Sequence, residues 1–135
     1  MLRLIFCGDR HWKDKQFIAE VMFYIFFELK EFILIEGEAE GADKMSREIG
    51  EEVLAIEVLR FPANWTKHGR AAGPIRNTQM RVEGKADGVI AFHDNLSASK
   101  GTKNMVDQAI KAALPTWVCT EGFEALEAFT KKFKR

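Results

Sequence analysis

Phe61-Pro62-Ala63-Asn64-Trp65, then Gly69-Arg70-Ala71-Ala72-Gly73-Pro74-Ile75-Arg76-Asn77, closing at Met80, is the stretch on which the fold turns. It leaves a strand-like segment, passes through glycine and proline, and enters a helix-like one. The first turn of a helix carries backbone N–H groups with no intrahelical partner, and its dipole favours negative charge. Pro74 suits that turn because its missing N–H is no loss there. Gly73 lets a ligand come close to the backbone. Arg70 stands just before the helix, and Arg76 and Asn77 are expected in its first turn. Arginine forms bidentate pairs with phosphate or carboxylate there. The plainer reading is that Arg76 pairs with an internal carboxylate.

Working outward, apolar runs and periodic segments alternate along the whole chain. Leu2 to Cys7 reads as a buried strand ended by Gly8, and Lys15 to Lys30 as a helix capped by Asp14. Phe32 to Glu36 is a second strand, Ala42 to Val53 a polar helix, and Ala55 to Phe61 a third strand stopped by Pro62. Beyond the central stretch, the helix runs from Pro74 to about Gly84 and a fourth strand from Asp87 to Phe92. Thr102 to Ala113 is a helix with Met105, Val106, Ala109, Ile110 and Ala113 on one stripe. Pro115 to Cys119 is the fifth strand, and Gly122 to Phe133 a last helix with Phe123, Leu126, Phe129 and Phe133 on one face. Five strand–helix alternations predict an α/β fold: a Rossmann-like, doubly wound, parallel five-stranded sheet, order 3-2-1-4-5, with helices on both faces. No linker or repeat divides residues 1–135, so one domain is expected.

Composition narrows the function classes. Twenty basic residues cancel twenty acidic ones. That argues against duplex nucleic acid as the main partner, which calls for a basic surplus. The one strongly basic run, Lys131, Lys132, Lys134 and Arg135, suits a helix C-terminus. Cys7 and Cys119 lack metal-type spacing and read as small buried thiols. Met1-Leu2-Arg3 runs straight into a strand with no signal peptide. The apolar run Val21 to Phe27 is too short to span a bilayer. A cytoplasmic setting without membrane contact is therefore expected. His11, His68 and His93 have no HExxH or paired spacing, so no metal is expected. No GxSxG marks a serine hydrolase.

In a doubly wound sheet, ligands bind outside the carboxyl ends of the strands, where the strand order reverses. The loops at that edge collect the chemistry. Gly8-Asp9-Arg10-His11-Trp12 offers a cation for phosphate and an aromatic for stacking, or else a plain loop with Trp12 on the core. Glu36-Gly37-Glu38-Ala39-Glu40-Gly41-Ala42-Asp43 has turn glycines, but its acids repel phosphate and better suit ribose hydroxyls, an amine or a cation. Its plainer reading is acidic capping of the second helix. Ser97-Ala98-Ser99-Lys100-Gly101-Thr102 presents N–H and hydroxyl donors at a helix start, as a phosphate cradle does. Its plainer reading is an N-cap by Thr102. It lacks the lysine-bearing pattern of a P-loop ATPase.

The first helix is apolar almost all round. Phe17, Ile18, Val21, Met22, Ile25 and Leu29 form the core stripe, and Phe23 and Phe27 lie opposite, one turn apart. Paired exposed aromatics predict a homo-oligomer through this helix.

These motifs together resemble the YspA-like (cpYpsA-related) branch of the SLOG superfamily, which also contains the LOG phosphoribohydrolases and the DprA-type DNA-processing proteins. The resemblance runs from Cys7-Gly8-Asp9-Arg10-His11-Trp12 through Gly41-Ala42-Asp43, the central stretch and Ala86-Asp87-Gly88-Val89-Ile90-Ala91-Phe92 to Ser99-Lys100-Gly101-Thr102. It implies a Rossmann-like fold that binds a nucleotide or a nucleotide-derived ligand such as ADP-ribose, an NAD derivative or a ribose phosphate. It implies phosphate contact at Gly101-Thr102 and a pocket closed by the Gly8–Trp12 and Gly73–Asn77 loops. The sequence departs where the family usually has a small residue at Asp9, and His, Gly and Arg at Glu36, Glu38 and Glu40. Each unscreened acid beside a phosphate costs on the order of 1 kcal/mol or more. LOG enzymes carry a glutamate three residues after their Gly-Thr pair; here that residue is Met105, which cannot act as acid or base.

Two functions follow as expectations. The first is a sensor or sequestering domain for a nucleotide-like small molecule. Its site is Gly8, Asp9, Arg10, Trp12, Gly37, Asp43, Trp65, Gly73, Arg76, Asn77, Ser99, Gly101 and Thr102. Arg10 and Arg76 would hold phosphate, Gly101 and Thr102 would donate to it, Trp12 or Trp65 would stack on the base, and Asp43 would accept from ribose. The second is a nucleotide N-glycosidase using a displaced carboxylate: Asp43, Asp9 or Glu38. Neutral charge weighs against a third, DNA processing.

Overall fold

A computed structural model describes residues 1–134; Arg135, the end of the basic run, lies outside the described residues. The strands are β1 (Arg3–Gly8), β2 (Ile33–Glu36), β3 (Val58–Arg60), β4 (Gly88–Phe92) and β5 (Thr116–Val118). All pair in parallel in the order β3-β2-β1-β4-β5, as the alternation predicts. The helices are α1 (Lys15–Leu29), α2 (Ala42–Glu48), α3 (Trp65–His68), α4 (Ala72–Val82), α5 (Gly101–Lys111) and α6 (Phe123–Lys131).

Side chains along a strand alternate between faces, and here both faces are buried. Leu4, Phe6, Leu34, Ile90, Phe92 and Trp117 pack under α1, α2 and α6 with Ile18, Met22, Ala42, Leu126 and Phe129. Ile5, Cys7, Ile35, Val89, Ala91 and Val118 pack on the other face with Met80, Met105, Val106 and Ala109 of α4 and α5. This split follows from right-handed crossovers: β1 to β2 to β3 progresses one way, and β3 to β4 to β5 returns. The strand order therefore reverses between β1 and β4. Their register, Leu4 with Gly88 through Gly8 with Phe92, brings both C-terminal ends to one edge. No helix among the described residues is long and apolar enough to cross a membrane.

Several local expectations are corrected. The segment Trp65 to Ala71 is not a loop: Asn64 Oδ1 accepts from Lys67 N at 3.0 Å and starts α3, and a 3-10 turn at Gly69–Ala71 leads into α4. The helix thus begins at Ala72, two residues before Pro74, and Arg76 and Asn77 fall in its second turn. β3 is three residues long because it is an edge strand whose only partner among the described residues is the short β2, and Ala55 before it is left-handed (φ 54°). α2 ends at Glu48 and runs on as a π-helical turn, Ile49–Val53. On α5, Ile110 is 63% exposed, and Ala113 lies beyond the helix end at φ 60°. Phe123 is also exposed; it meets Tyr24 edge-on at 4.9 Å.

Candidate functional site

The carboxyl edge is built from the ends of β1, β2 and β4 and the starts of α2 and α5. Gly8 ends β1 where the chain presses against its neighbours. A Cβ there would collide with the Phe92 carbonyl oxygen and stand 2.9 Å from Ala42 Cβ. Asp9 N donates to Phe92 O at 2.8 Å, tying the β1 loop to β4, and Asp9 O accepts from Ala42 N at 3.1 Å, tying it to α2. Its glycines serve to pack loop on loop.

The acidic segment after β2 is internally neutralised. Glu36 is fully buried; its Oε1 accepts from Glu38 N at 2.9 Å and from Arg47 Nη1 at 3.2 Å, and its Oε2 has no partner among the described residues. Asp43 is buried, and its Oδ2 accepts from the N–H groups of Gly37 (3.2 Å) and Ala39 (3.3 Å). It folds the loop instead of capping α2, whose cap position is Gly41. Glu38 lies 3.6 Å from Arg60, and Glu40 lies 3.9 Å from Lys44. Burial raises the Glu36 carboxyl to about 7, with Asp43 adding and Arg47 opposing. Burial likewise raises Asp43 to about 6, offset chiefly by Arg76. The acids that argue against phosphate on paper have cationic or N–H partners within the fold.

Arg76 crosses from α4 over Gly37. Its Nη1 donates to the Gly37 carbonyl, and its Nε donates to Asn77 Oδ1 at 3.0 Å. A Cβ on Gly37 would occupy the guanidinium's space. Asn77 is buried and donates from Nδ2 to Gly101 O and to Asn104 Oδ1, both at 3.1 Å. Both residues brace the acidic loop and the start of α5. Asn77→Leu keeps the size and removes three hydrogen bonds at a buried site, so it is expected to lower stability by about 2–3 kcal/mol in denaturant titration.

The start of α5 stays open. The cap position of α5 is Lys100, and the Ser99 Oγ just before it accepts from Thr102 N at 3.0 Å, so Thr102 is not the cap. Nothing lies within 4 Å of where a Cβ on Gly101 would be, and Thr102 is largely buried beside it.

Across the β1–β4 switch, on the α1 side, lies an open cleft of about 500 Å³ lined by Asp9, His11, Trp12, Lys13, Asp14, Phe17 and Asp94. Trp12 and Phe17 form its aromatic wall, with centroids 6.1 Å apart. Asp9 Oδ1 accepts from His11 N at 2.8 Å. Asp9 Oδ2 lies 3.9 Å from His93 Nε2, while His93 Nδ1 accepts from Asn95 N at 3.0 Å and so leaves the ring proton on Nε2. Arg10 is exposed on the same loop and makes no ion pair among the described residues.

Of the thirteen expected site residues, Asp9 and Trp12 line this cleft, and Ser99, Gly101 and Thr102 form the α5 start. Gly37, Asp43, Arg76 and Asn77 form the bracing layer. Trp65, on α3, is exposed and covers Gly73, whose Cβ would lie 3.6 Å from the indole. His93, expected at this edge from its place after the fourth strand but given no role, gains a partner in Asp9; Arg47, eleven residues from Glu36, carries no sequence signal.

The model of the YspA, cpYpsA-related SLOG family matches residues 2–68, from β1 through α3. The Gene 61 protein of Mycobacterium phage D29 is 30% identical over 123 residues, covering 85% of this chain and 94% of the phage protein.

Proposed function

The chain belongs to the YspA, cpYpsA-related SLOG family, and from that footing we propose that it is a binding domain for a nucleotide-derived ligand laid across the β1–β4 switch point. Family membership suggests nucleotide-related binding or LOG-like chemistry. The observation that carries the binding reading is the pairing of an unobstructed helix start at Gly101 with the aromatic-walled cleft at Trp12, one on each side of the strand reversal. A phosphate fits the positive end of α5, with the first-turn N–H donors other than Thr102 N, which Ser99 Oγ already takes. The base fits against Trp12, and Arg10 supplies an exposed cation at the rim. Arg76 acts as a positioning residue, since its guanidinium already holds the Gly37 carbonyl.

A thermal-shift panel of AMP, ADP-ribose, NAD and cyclic nucleotides tests this. At ligand concentrations about 100-fold above Kd, the expected stabilisation is about 2.7 kcal/mol, a shift of several degrees. Gly101→Glu and Trp12→Ala are each expected to weaken binding at least tenfold without unfolding the protein. No shift with any panel member by folded protein overturns the reading.

A second reading rests on one contact. Asp43 is enclosed and Glu38 faces Arg60, which leaves Asp9 as the candidate carboxylate that lines the cleft, with His93 behind it. Such a couple suits N-glycosidic hydrolysis. Met105, at the position of the LOG glutamate, is a core side chain on α5. Release of free base on chromatography, abolished by Asp9→Asn, supports turnover; none across the panel removes it.

A further inference from the structure

The outward face of α1 carries a repeat that the site does not use. Gln16, Glu20, Phe23, Phe27 and Lys30 follow one another at spacings of four, three, four and three residues. That is the spacing of a helix–helix seam: it places Gln16, Glu20, Phe23 and Phe27 on one stripe, and Lys30, the cap residue just past the helix end (φ 67°), carries its ammonium over the Phe27 ring at the end of it. The stripe lies opposite Ile18, Val21, Met22 and Ile25, which are buried against the sheet. Gln16, Glu20 and Lys30 are exposed, Phe23 is 42% exposed and Phe27 75%. Lys30 Nζ lies 5.7 Å from the Phe27 ring centroid, at the rim of this aromatic pair. Phe123 of α6, edge-on to Tyr24, adds exposed apolar surface beside it.

We propose that this stripe is a dimer interface in which α1 packs antiparallel on α1 of a second copy, Phe23 against Phe27 and Glu20 against Lys30. The stripe is complementary to itself. A twofold axis midway between Phe23 and Phe27 sends each residue onto the position equally far on the other side. Phe23 then meets the second copy's Phe27, and Glu20 meets its Lys30. An acid three residues before the aromatic pair and a base three residues after it face each other only in the antiparallel arrangement. A parallel pairing would set Glu20 on Glu20 and Lys30 on Lys30. Isologous contacts of this kind close with two subunits. An unrelated partner would have no reason to match the spacing of this chain's own charges.

The test is sedimentation of purified protein at graded concentrations, with circular dichroism to check folding. Wild type is expected to sediment as a dimer at concentrations on the order of 100 μM. Phe27→Glu is expected to be monomeric. Glu20→Lys alone and Lys30→Glu alone, each setting like charges opposite, should weaken the dimer about tenfold, and the double reversal should recover it to within about threefold of wild type. All substitutions sit on exposed positions, so the variants should fold. A monomeric wild type overturns the proposal. So does a dimer indifferent to Phe27→Glu, or a double reversal no tighter than the single variants.

Discussion

Gly41→Ala is expected to lower the unfolding free energy by about 3–4 kcal/mol. Gly41 has φ 73° and ψ −123°, a backbone conformation closed to L side chains without strain. That conformation accounts for about 1–3 kcal/mol. The remainder is steric. The added Cβ would overlap the Asp9 carbonyl oxygen and stand 2.5 Å from the Arg10 carbonyl carbon. The β1 loop must then move, and Ala42 N loses its 3.1 Å bond to Asp9 O. Urea denaturation measures the loss, and Gly101→Ala is the control. At Gly101 the Cβ meets nothing and the residue is helical, so alanine should be neutral or stabilise by up to about 1 kcal/mol. A loss under about 1 kcal/mol for Gly41→Ala would show that the two loops do not pack as described. The same displacement moves Asp9 and Trp12, so the proposed nucleotide binding should fall together with stability.

The fold was legible because its signals are redundant. Leu4-Ile5-Phe6-Cys7 and Val89-Ile90-Ala91-Phe92 are apolar at every position, which only a strand buried on both faces requires. Alternation and crossover handedness then restrict the chain to a doubly wound sheet, and the expected order 3-2-1-4-5 is the one that forms. What stayed hidden is local or depends on neighbours. The length of β3 is set by β2, its single partner, and no pattern within Ala55–Phe61 carries that. The helical turns after Pro62 were announced by Asn64, a cap residue three positions before Lys67, but the prolines and glycines on either side read as loop. Ile110 sits at helical spacing with core residues, yet it stands on the solvent side of the α5 stripe.

At the candidate site, residue types were legible and partners were not. Along the chain, Glu36, Glu38, Glu40 and Asp43 form a block of like charge. The fold disperses them: Glu36 to Arg47, Glu38 to Arg60, Glu40 to Lys44, Asp43 to two backbone N–H groups. Only Glu40–Lys44, an i,i+4 pair, can be read from spacing. Glu38–Arg60 follows from β2–β3 register, which puts Glu36 beside Arg60. Arg76 illustrates the same point. Its plainer reading expected an internal carboxylate; the fold gives it the Gly37 carbonyl, with Asp43 near enough for the two charges to act on each other.

Stability is expected to fall as pH rises from about 4 to about 7, and Glu36→Gln is expected to flatten that fall. Glu36 is raised from 4.5 to about 7 and Asp43 from 3.8 to about 6, each mainly by burial. A carboxyl whose pKa is raised by folding binds its proton more tightly in the native state than in the unfolded chain. Its favourable contribution is complete below the unfolded value and is lost as pH climbs through the folded one. The sign is opposite to the acid destabilisation that ion-paired carboxylates produce. At about 1.4 kcal/mol per pH unit, raising Glu36 from 4.5 to about 7 alone corresponds to a loss on the order of 3 kcal/mol across the window, and Asp43 adds to it. Glutamine imitates the protonated acid. Its oxygen keeps the bonds from Glu38 N and Arg47, and its amide takes the place of the partnerless Oε2. The variant should come nearest to wild type at about pH 4 and exceed it by about 1 kcal/mol or more at about pH 8. Denaturant titrations at the two pH values decide it. A wild type whose stability rises through this window, or a Glu36→Gln variant that tracks it in parallel, would mean that Glu36 is ionised in the folded protein and that Arg47 alone compensates its burial.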